Sequence, residues 1–393
     1  MKAIAAVVLA LTFVVAIVAV GCGGGNGDGE ATATPAGSAT VSSNGGIAFI
    51  GKAPQEAATD VYVVDPDGGD VQQLTETEEA EWWPAWSHDG KRLGYVSAPL
   101  PQTGDGGTPI PADAAQRQLV VANADGTDPR RIAGFVLLQT YSGGFSWSPD
   151  GGQIVYMAYD PAEETTTSRI RLVNVADGSD VPLPEERLGY LPAWSPDGTQ
   201  IVFGGFVGDP DESGNRASEL LLMNSDGSNV RQLTDRPGPD IDPAWSPDGS
   251  RIAWWGQDPQ TESSQAQPNR LYMVDVASGE VTELGEGSDP VWSPDGQHLA
   301  FTFQPQPAEG TFQVNPNVDI WVMDIGTGAR TQLTQDSGAD LWPVWSPDGQ
   351  RIAFVSERDN ASGEIYVMSA DGSGVRRLTD NDLSEAMLAW KSS

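Results

Sequence analysis

Beyond residue 46 the chain alternates short apolar runs with polar stretches rich in Gly, Pro, Asp and Ser. Leu93-Gly-Tyr, Ile154-Val-Tyr, Ile201-Val-Phe, Ile252-Ala-Trp, Leu299-Ala-Phe and Ile352-Ala-Phe are such runs, and each predicts a strand. Each follows a Trp-Ser-Pro-Asp-Gly signature, with Trp at 147, 194, 245, 292 and 345 and a His-containing variant at Trp86. Trp390 stands alone near the C-terminus, so successive Trp positions are 45 to 61 residues apart. A further strand follows each run after a variable gap, as in Glu219-Leu-Leu-Leu-Met and Asp319-Ile-Trp-Val-Met. A Gly turn then leads to a strand of Arg-Gln-Leu-Thr type, containing Leu233, Leu333 or Leu378, and the next Trp strand completes the repeat. Four short strands per period predict the blade of a β-propeller.

The signature has a local physical cause. Pro presets φ at the first corner of a turn, Asp bonds nearby backbone, and Gly takes the positive-φ corner. Ser-Pro-Asp-Gly is therefore expected to reverse the chain, and its Trp to pack between neighbouring sheets. The repeat begins with Ile47-Ala-Phe-Ile, which has no Trp strand before it, and ends on Met387-Leu-Ala-Trp390, which has no partner after it. The two fragments make one blade. The expected fold is an all-β, seven-bladed propeller of four-stranded blades over residues 47–393, closed by pairing of the C-terminal strand with the N-terminal three; six blades is the rival count.

The N-terminus carries a separate signal. Lys2 is followed by an apolar stretch, Ala3 to Val20, broken only by Thr12 and ending at Gly21-Cys22. A positive start, a long apolar segment and a small residue are the parts of a secretory signal. Residues 1–21 are read as a signal peptide, and Ala19-Val20-Gly21-Cys22 resembles the lipobox of bacterial lipoproteins, which implies Cys22 as the lipid attachment site; an uncleaved membrane anchor is the alternative. Residues 22–46 are small, polar and Gly-rich, which suits a lipid-anchored flexible linker. Either reading places the body outside the cytoplasm of a bacterium, periplasmic or at the cell surface, attached to the membrane only through the anchor.

Composition narrows function by exclusion. With 21 Lys and Arg against 55 Asp and Glu the formal net charge is −34, so a basic face for nucleic acid is not available. One Cys and two His exclude a disulfide framework, a Cys/His zinc centre and a Cys redox pair.

The Pro-Ala-Trp-Ser-Pro-Asp-Gly-x-x-Ile-Ala-Phe pattern resembles the WD-like repeat of the TolB propeller family, over essentially residues 47–393. The same repeat occurs in propellers attached to prolyl-oligopeptidase-type enzymes and in oligogalacturonate lyases. The resemblance implies a propeller in the cell envelope more firmly than it implies an activity.

Candidate binding residues lie where the chain approaches the Trp strands: Glu81, Trp82, Trp83, Tyr190, Asp240, Asp242, Asp289, Asp340, Trp342 and Glu385. They are expected to ring the mouth of the central channel as an acidic and aromatic surface. Longer segments near 97–116, 204–217, 256–268 and 304–317 are expected to frame the same face. Turn segments at Asp65–Asp70, Asn123–Asp128 and Asn224–Asn229 have some of the spacing of calcium loops but lack the closing bidentate Glu, so no metal and no cofactor is expected. No Gly-x-Ser-x-Gly motif occurs, and His88 and His298 sit at a turn and a strand start, so no catalytic residue is assigned. The expected function is a non-enzymatic, monomeric scaffold for a basic protein or peptide. The alternatives are a receptor for a glycan or cation at the channel mouth, and a hydrolase or lyase using a carboxylate pair such as Asp240 and Asp242.

Overall fold

The computed structural model describes residues 45–100, 117–134, 144–159, 168–181, 183, 187–208, 217–257, 268–304 and 318–392. The segments 1–44, 101–116 and 305–317, most of 204–217 and 256–268, and with them the leader, Cys22 and nearly all of the linker, lie outside the described residues.

Among the described residues the chain forms strands and no helix. The strands are β1 (Ile47–Lys52), β2 (Asp60–Val64), β3 (Gln72–Gln73), β4 (Glu79–Trp86), β5 (Arg92–Pro99), β6 (Gln118–Asn123), β7 (Arg130–Gly134), β8 (Phe145–Trp147), β9 (Gln153–Tyr159) and β10 (Ser168–Asn174). They continue as β11 (Asp180–Val181), β12 (Arg187–Trp194), β13 (Gln200–Val207), β14 (Ala217–Asn224), β15 (Arg231–Gln232), β16 (Asp240–Trp245), β17 (Arg251–Gly256), β18 (Arg270–Asp275) and β19 (Val281–Glu286). The last are β20 (Ser288–Trp292), β21 (His298–Phe303), β22 (Asp319–Asp324), β23 (Arg330–Gln332), β24 (Asp340–Trp345), β25 (Arg351–Ser356), β26 (Glu364–Ser369), β27 (Arg376–Arg377) and β28 (Ser384–Trp390).

Antiparallel pairing sorts most of them into four-stranded sheets: β28-β1-β2-β3, β4 to β7, β16 to β19, β20 to β23 and β24 to β27. The sets β8–β11 and β12–β15 are joined into one sheet by a short β10–β12 contact, Arg169 opposite Leu188 and Ile170 opposite Arg187. The C-terminal strand pairs with the N-terminal one, Ile47 opposite Trp390 and Lys52 opposite Ser384. That contact completes a sheet whose strands are separated by most of the sequence.

The Trp strands are the inner members. The indole N–H of Trp86 donates to Ala389 O at 3.1 Å, Trp147 to Ala85 O at 3.1 Å, Trp245 to Ala193 O at 3.1 Å, Trp292 to Ala244 O at 3.0 Å and Trp345 to Val291 O at 3.1 Å. Each bond runs from one Trp strand back to the one before it, and the first crosses from β4 to β28. The backbone N–H of Trp194 reaches Ser146 Oγ at 3.2 Å in the same sense. β24 contacts β28, so the order of inner strands returns to its start. Large apolar side chains fill the spaces between successive sheets: Val61, Tyr95 and Trp86 in one, Leu222, Trp254 and Val274 in another. Burying each such side chain contributes about 1.5–3 kcal/mol.

The signature turn follows its predicted chemistry. In Ser246-Pro-Asp-Gly249, Gly249 N–H donates to Ser246 O at 2.8 Å. Ser246 Oγ donates to Asp248 Oδ1 at 2.6 Å, and that oxygen also accepts Ser250 N–H at 3.0 Å. Gly249 has φ 70°, where a side chain would be strained.

A bend in the inner strands has no local sequence signal. The residue three positions before each Trp has positive φ: Trp83, Gly144, Leu191, Asp242, Asp289, Trp342 and Met387, at 49 to 63°. The pairing registers slip around this position, for example between Ile241 and Ala244 and between Leu341 and Val344. An extra residue in the left-handed region is a β-bulge, which bends and twists the strand. Six of the seven carry a side chain there, so the bend is imposed by packing of the ring and not by glycine.

Candidate functional site

At the opening of each inner strand, side chains of one sheet meet the next. Four of these seams share one construction. Asp60, Glu219, Asp319 and Glu364 lie at or near the start of β2, β14, β22 and β26. Fifteen residues later come Thr75, Thr234, Thr334 and Thr379, and six residues beyond those Glu81, Asp240, Asp340 and Glu385. Each Thr hydroxyl accepts the N–H of the residue after the first acid: Val61, Leu220, Ile320 and Ile365, at 2.8 to 2.9 Å. Each also lies against carboxyl groups. Thr75 bonds Glu81, Thr234 bonds Asp240 at 2.5 Å and Glu219 at 2.8 Å, and Thr379 bonds Glu385 at 2.6 Å. Thr334 is 3.5 Å from Asp319.

These acids are enclosed. Glu81, Asp240 and Asp340 are 0% exposed and Glu385 is 3%. The first-acid partners are nearly as deep. Burial pushes Glu81, Glu219 and Glu385 up to about 7, and Asp60 and Asp319 up to about 6. It also raises Asp240 and Asp340 despite their arginines, Arg236 at 3.0 Å and Arg358 at 3.1 Å. Arg236 in turn stacks over the Tyr272 ring at 3.9 Å.

The expected ring at the channel mouth therefore divides. Glu81, Asp240, Asp340 and Glu385 are buried seam residues and do not form an open acidic rim. Their oxygens are already used by threonines, arginines and backbone. Tyr190 is also enclosed, its hydroxyl donating to Asp240 O at 3.0 Å and lying against Ser218 Oγ. Positive φ at Asp242 interrupts the two-residue alternation that would place it on one face with Asp240. Asp240 Oδ1 is committed to Trp254 Nε1 at 2.7 Å and to Arg236.

Trp82, Trp83, Asp242, Asp289 and Trp342 remain partly exposed. All but Trp82 occupy the left-handed bulge position. Asp289 Oδ2 accepts from Thr302 at 2.8 Å, and burial raises its carboxyl. Sequence reasoning missed the threonines and the four first acids. Their signal is the recurring interval of fifteen and then six residues, which carries meaning only once the seams are known.

An open cleft of about 940 Å³ lies between the first two sheets. Glu56, Asp60, Glu76, Glu78 and Glu79 line it, together with Arg131, which is paired with Glu79 at 2.8 Å. His88 is exposed at its turn, and His298 lies 4.0 Å from Asp295 and Asp324. Neither joins a carboxyl seam. The acidic turns hold their own backbone: Asp125 accepts Thr127 N–H at 3.1 Å and Asp226 accepts Ser228 N–H at 2.9 Å. Among the described residues no group of three His, Cys, Asp or Glu is arranged to hold a metal.

Comparison with known proteins gives a consistent picture of the fold. The family described as TolB beta propeller domain matches residues 110–286 and 205–392. A Protein TolB homolog of Chlorobium chlorochromatii is 30% identical over 159 residues, 40% of this chain and 32% of that protein. A Bacillus subtilis protein described as uncharacterized peptidase YuxL is 34% identical over 83 residues, 20% of this chain and 13% of its own length. The match thus spans a third or less of these curated relatives. Among solved structures, an oligogalacturonate lyase of Vibrio parahaemolyticus aligns at 15% identity with TM-score 0.58, covering 82% of this chain and 90% of its own. The β-propeller domain of the trilobed protease of Pyrococcus furiosus aligns at 13% identity with TM-score 0.54, covering 78% and 86%. At such identities the likeness is one of fold.

Proposed function

The chain belongs to the TolB beta propeller domain family, and from that premise we propose a non-enzymatic, lipid-anchored envelope scaffold that binds the basic surface of a protein or peptide partner. Each set of four strands is one blade, seven in all, and the molecule acts as a monomer held outside the cytoplasm by acylated Cys22. The observation that carries the reading is the acidic cleft between the first two blades, set in a chain of net charge −34. Five carboxylic side chains line it, and the arginine beside them is already paired. A field of one sign in a concave site concentrates cationic partners and speeds their encounter.

The test is titration of the full chain with a fluorescent Lys/Arg-rich peptide at low and at high salt. Capture is expected at low salt, weakening steeply as salt rises, and weakening further in Glu76→Lys/Glu78→Lys. Absence of capture at low salt would remove the reading. The second reading, a small-ligand receptor at the channel mouth, rests on partly exposed Trp83, Trp342 and Asp242 at equivalent positions of different inner strands. Saturable quenching of Trp fluorescence by an oligosaccharide, insensitive to salt, would favour it.

A further inference from the structure

The hydrogen-bond count at Thr234 does not close if both neighbouring acids are ionised. Its Oγ1 accepts Leu220 N–H at 2.9 Å and stands 2.8 Å from Glu219 Oε2 and 2.5 Å from Asp240 Oδ2. A hydroxyl has one proton to donate and two lone pairs. Leu220 occupies one lone pair and the proton serves one carboxylate. The second carboxyl oxygen then faces the remaining lone pair, and only a proton on that carboxyl makes the contact attractive.

We propose that Glu219 is held un-ionised and donates its proton to Thr234, whose own hydroxyl proton goes to ionised Asp240, so that this seam takes up a proton from solvent as the ring assembles. The assignment follows from the other partners. Asp240 Oδ1 receives the Trp254 indole N–H at 2.7 Å and the Arg236 guanidinium at 3.0 Å, which favour its charge. Glu219 receives only the Arg236 backbone N–H, at 3.2 and 3.3 Å. The remaining groups facing the pair agree. Asp235 repels a charge on Glu219. Tyr190 and Tyr272, whose phenols burial keeps un-ionised, add none. Burial carries Glu219 up to about 7, well above the range of a free carboxyl.

The same spacing recurs at Thr75, Thr334 and Thr379, where one acid bonds each hydroxyl. In the last seam Thr379 serves Glu385 at 2.6 Å, and Glu364 turns its Oε1 to Arg377 at 2.7 Å and Asn360 at 2.8 Å instead of to the threonine. The seam at Thr234 is thus stapled by a protonated carboxyl and tightens as the medium acidifies.

The decisive measurement is urea unfolding of the full chain from pH 5 to pH 8 for the wild type, Glu219→Gln and Asp240→Asn. Gln keeps a donor toward Thr234 and cannot ionise. E219Q should lie close to the wild type at pH 5, pull ahead of it steadily toward pH 7, exceed it clearly at pH 8, and flatten the pH dependence. One proton fewer in the linkage changes the unfolding constant by up to about tenfold per pH unit within the window. D240N should be weaker at every pH, because Arg236 loses its counter-charge. An E219Q profile parallel to the wild type, or lower at pH 8, overturns the proposal. Should E219Q fail to fold, the infrared carbonyl band of un-ionised carboxyls in the wild-type chain at pH 7 replaces it: presence and loss toward pH 9 supports the staple, and absence overturns it.

Discussion

Two neighbouring seams of the ring use the same chain spacing and opposite chemistry. Where β14 meets β16, Glu219 and Asp240 stand 21 residues apart with Thr234 between them. Where β10 meets β12, the residues 21 apart are Ser168 and Gly189, and Ser168 Oγ simply donates to Gly189 O at 2.7 Å. The position that would hold threonine is Leu183, packed on a core containing Ile170 and Leu172. Here the two strands also pair through their backbones. A seam zipped by direct backbone pairing needs no side-chain lock. The other is held by a network whose every member must be satisfied, and it therefore responds to pH.

The ring itself is the largest lever on both seams. Removing residues 384–393 deletes β28, with its pairing to β1 and the carboxyl of Glu385. The expected loss exceeds about 5 kcal/mol, in the exceptional range for a local change, and calorimetry should show a broadened, non-cooperative transition. A truncated chain that melts like the intact one would mean the seams act independently of closure.

Next comes the direct contrast. Asp240→Ala leaves Arg236 buried without its charge partner and should cost about 3–5 kcal/mol. Ser168→Ala removes one neutral bond and should cost about 1 kcal/mol. Equal losses in urea unfolding would erase the distinction between the seams. Gly189→Ala should fall between them, at about 1–3 kcal/mol. An added Cβ there meets the Phe203 ring at 2.6 Å and the backbone oxygen of Gly204 at 2.8 Å. The neutral seam is thus fixed by close approach, and packing controls it where charge controls the other.

The two kinds of contact also differ in how far the sequence reveals them. Ser-Pro-Asp-Gly is legible because its bonds close within five residues, and the Trp repeat is legible because the same turn recurs. The acids at 81, 240, 340 and 385 are equally conspicuous, yet a reading of them as a channel rim follows only if they face solvent. Their burial is decided by how one sheet packs on the next, and Thr75, Thr234, Thr334 and Thr379 look like ordinary strand ends until that packing is in place. The bulges at Trp83, Leu191, Trp342 and Met387 are still less visible. Gly144 has the residue type that such a backbone favours, and Asp242 and Asp289 are of a type that tolerates it.

The smallest predicted effect compares one residue type in two settings. Burial raises Asp240, whereas Asp248 in the exposed signature turn is lowered to about 2, first by the Ser246 hydroxyl and then by Ser250. The signs follow from linkage. A raised carboxyl such as Glu219 stabilises fully below its unfolded value, near 4.3, and that contribution fades as pH rises through about 7. A lowered one such as Asp248 contributes above its unfolded value, near 3.9, and fades as pH falls toward 2. The wild type should therefore be most stable at mildly acidic pH and weaken on both sides. Asp248→Ala should cost about 0.5–1 kcal/mol at pH 7, since solvent screens an exposed carboxylate. That deficit should shrink in urea titrations between pH 4 and pH 3, while the E219Q difference grows from about pH 4.3 upward. If the Asp248→Ala deficit stays constant down to pH 3, the turn draws its stability from Pro and Gly geometry, and the opposition between ionised turns and protonated seams would rest on the seams alone.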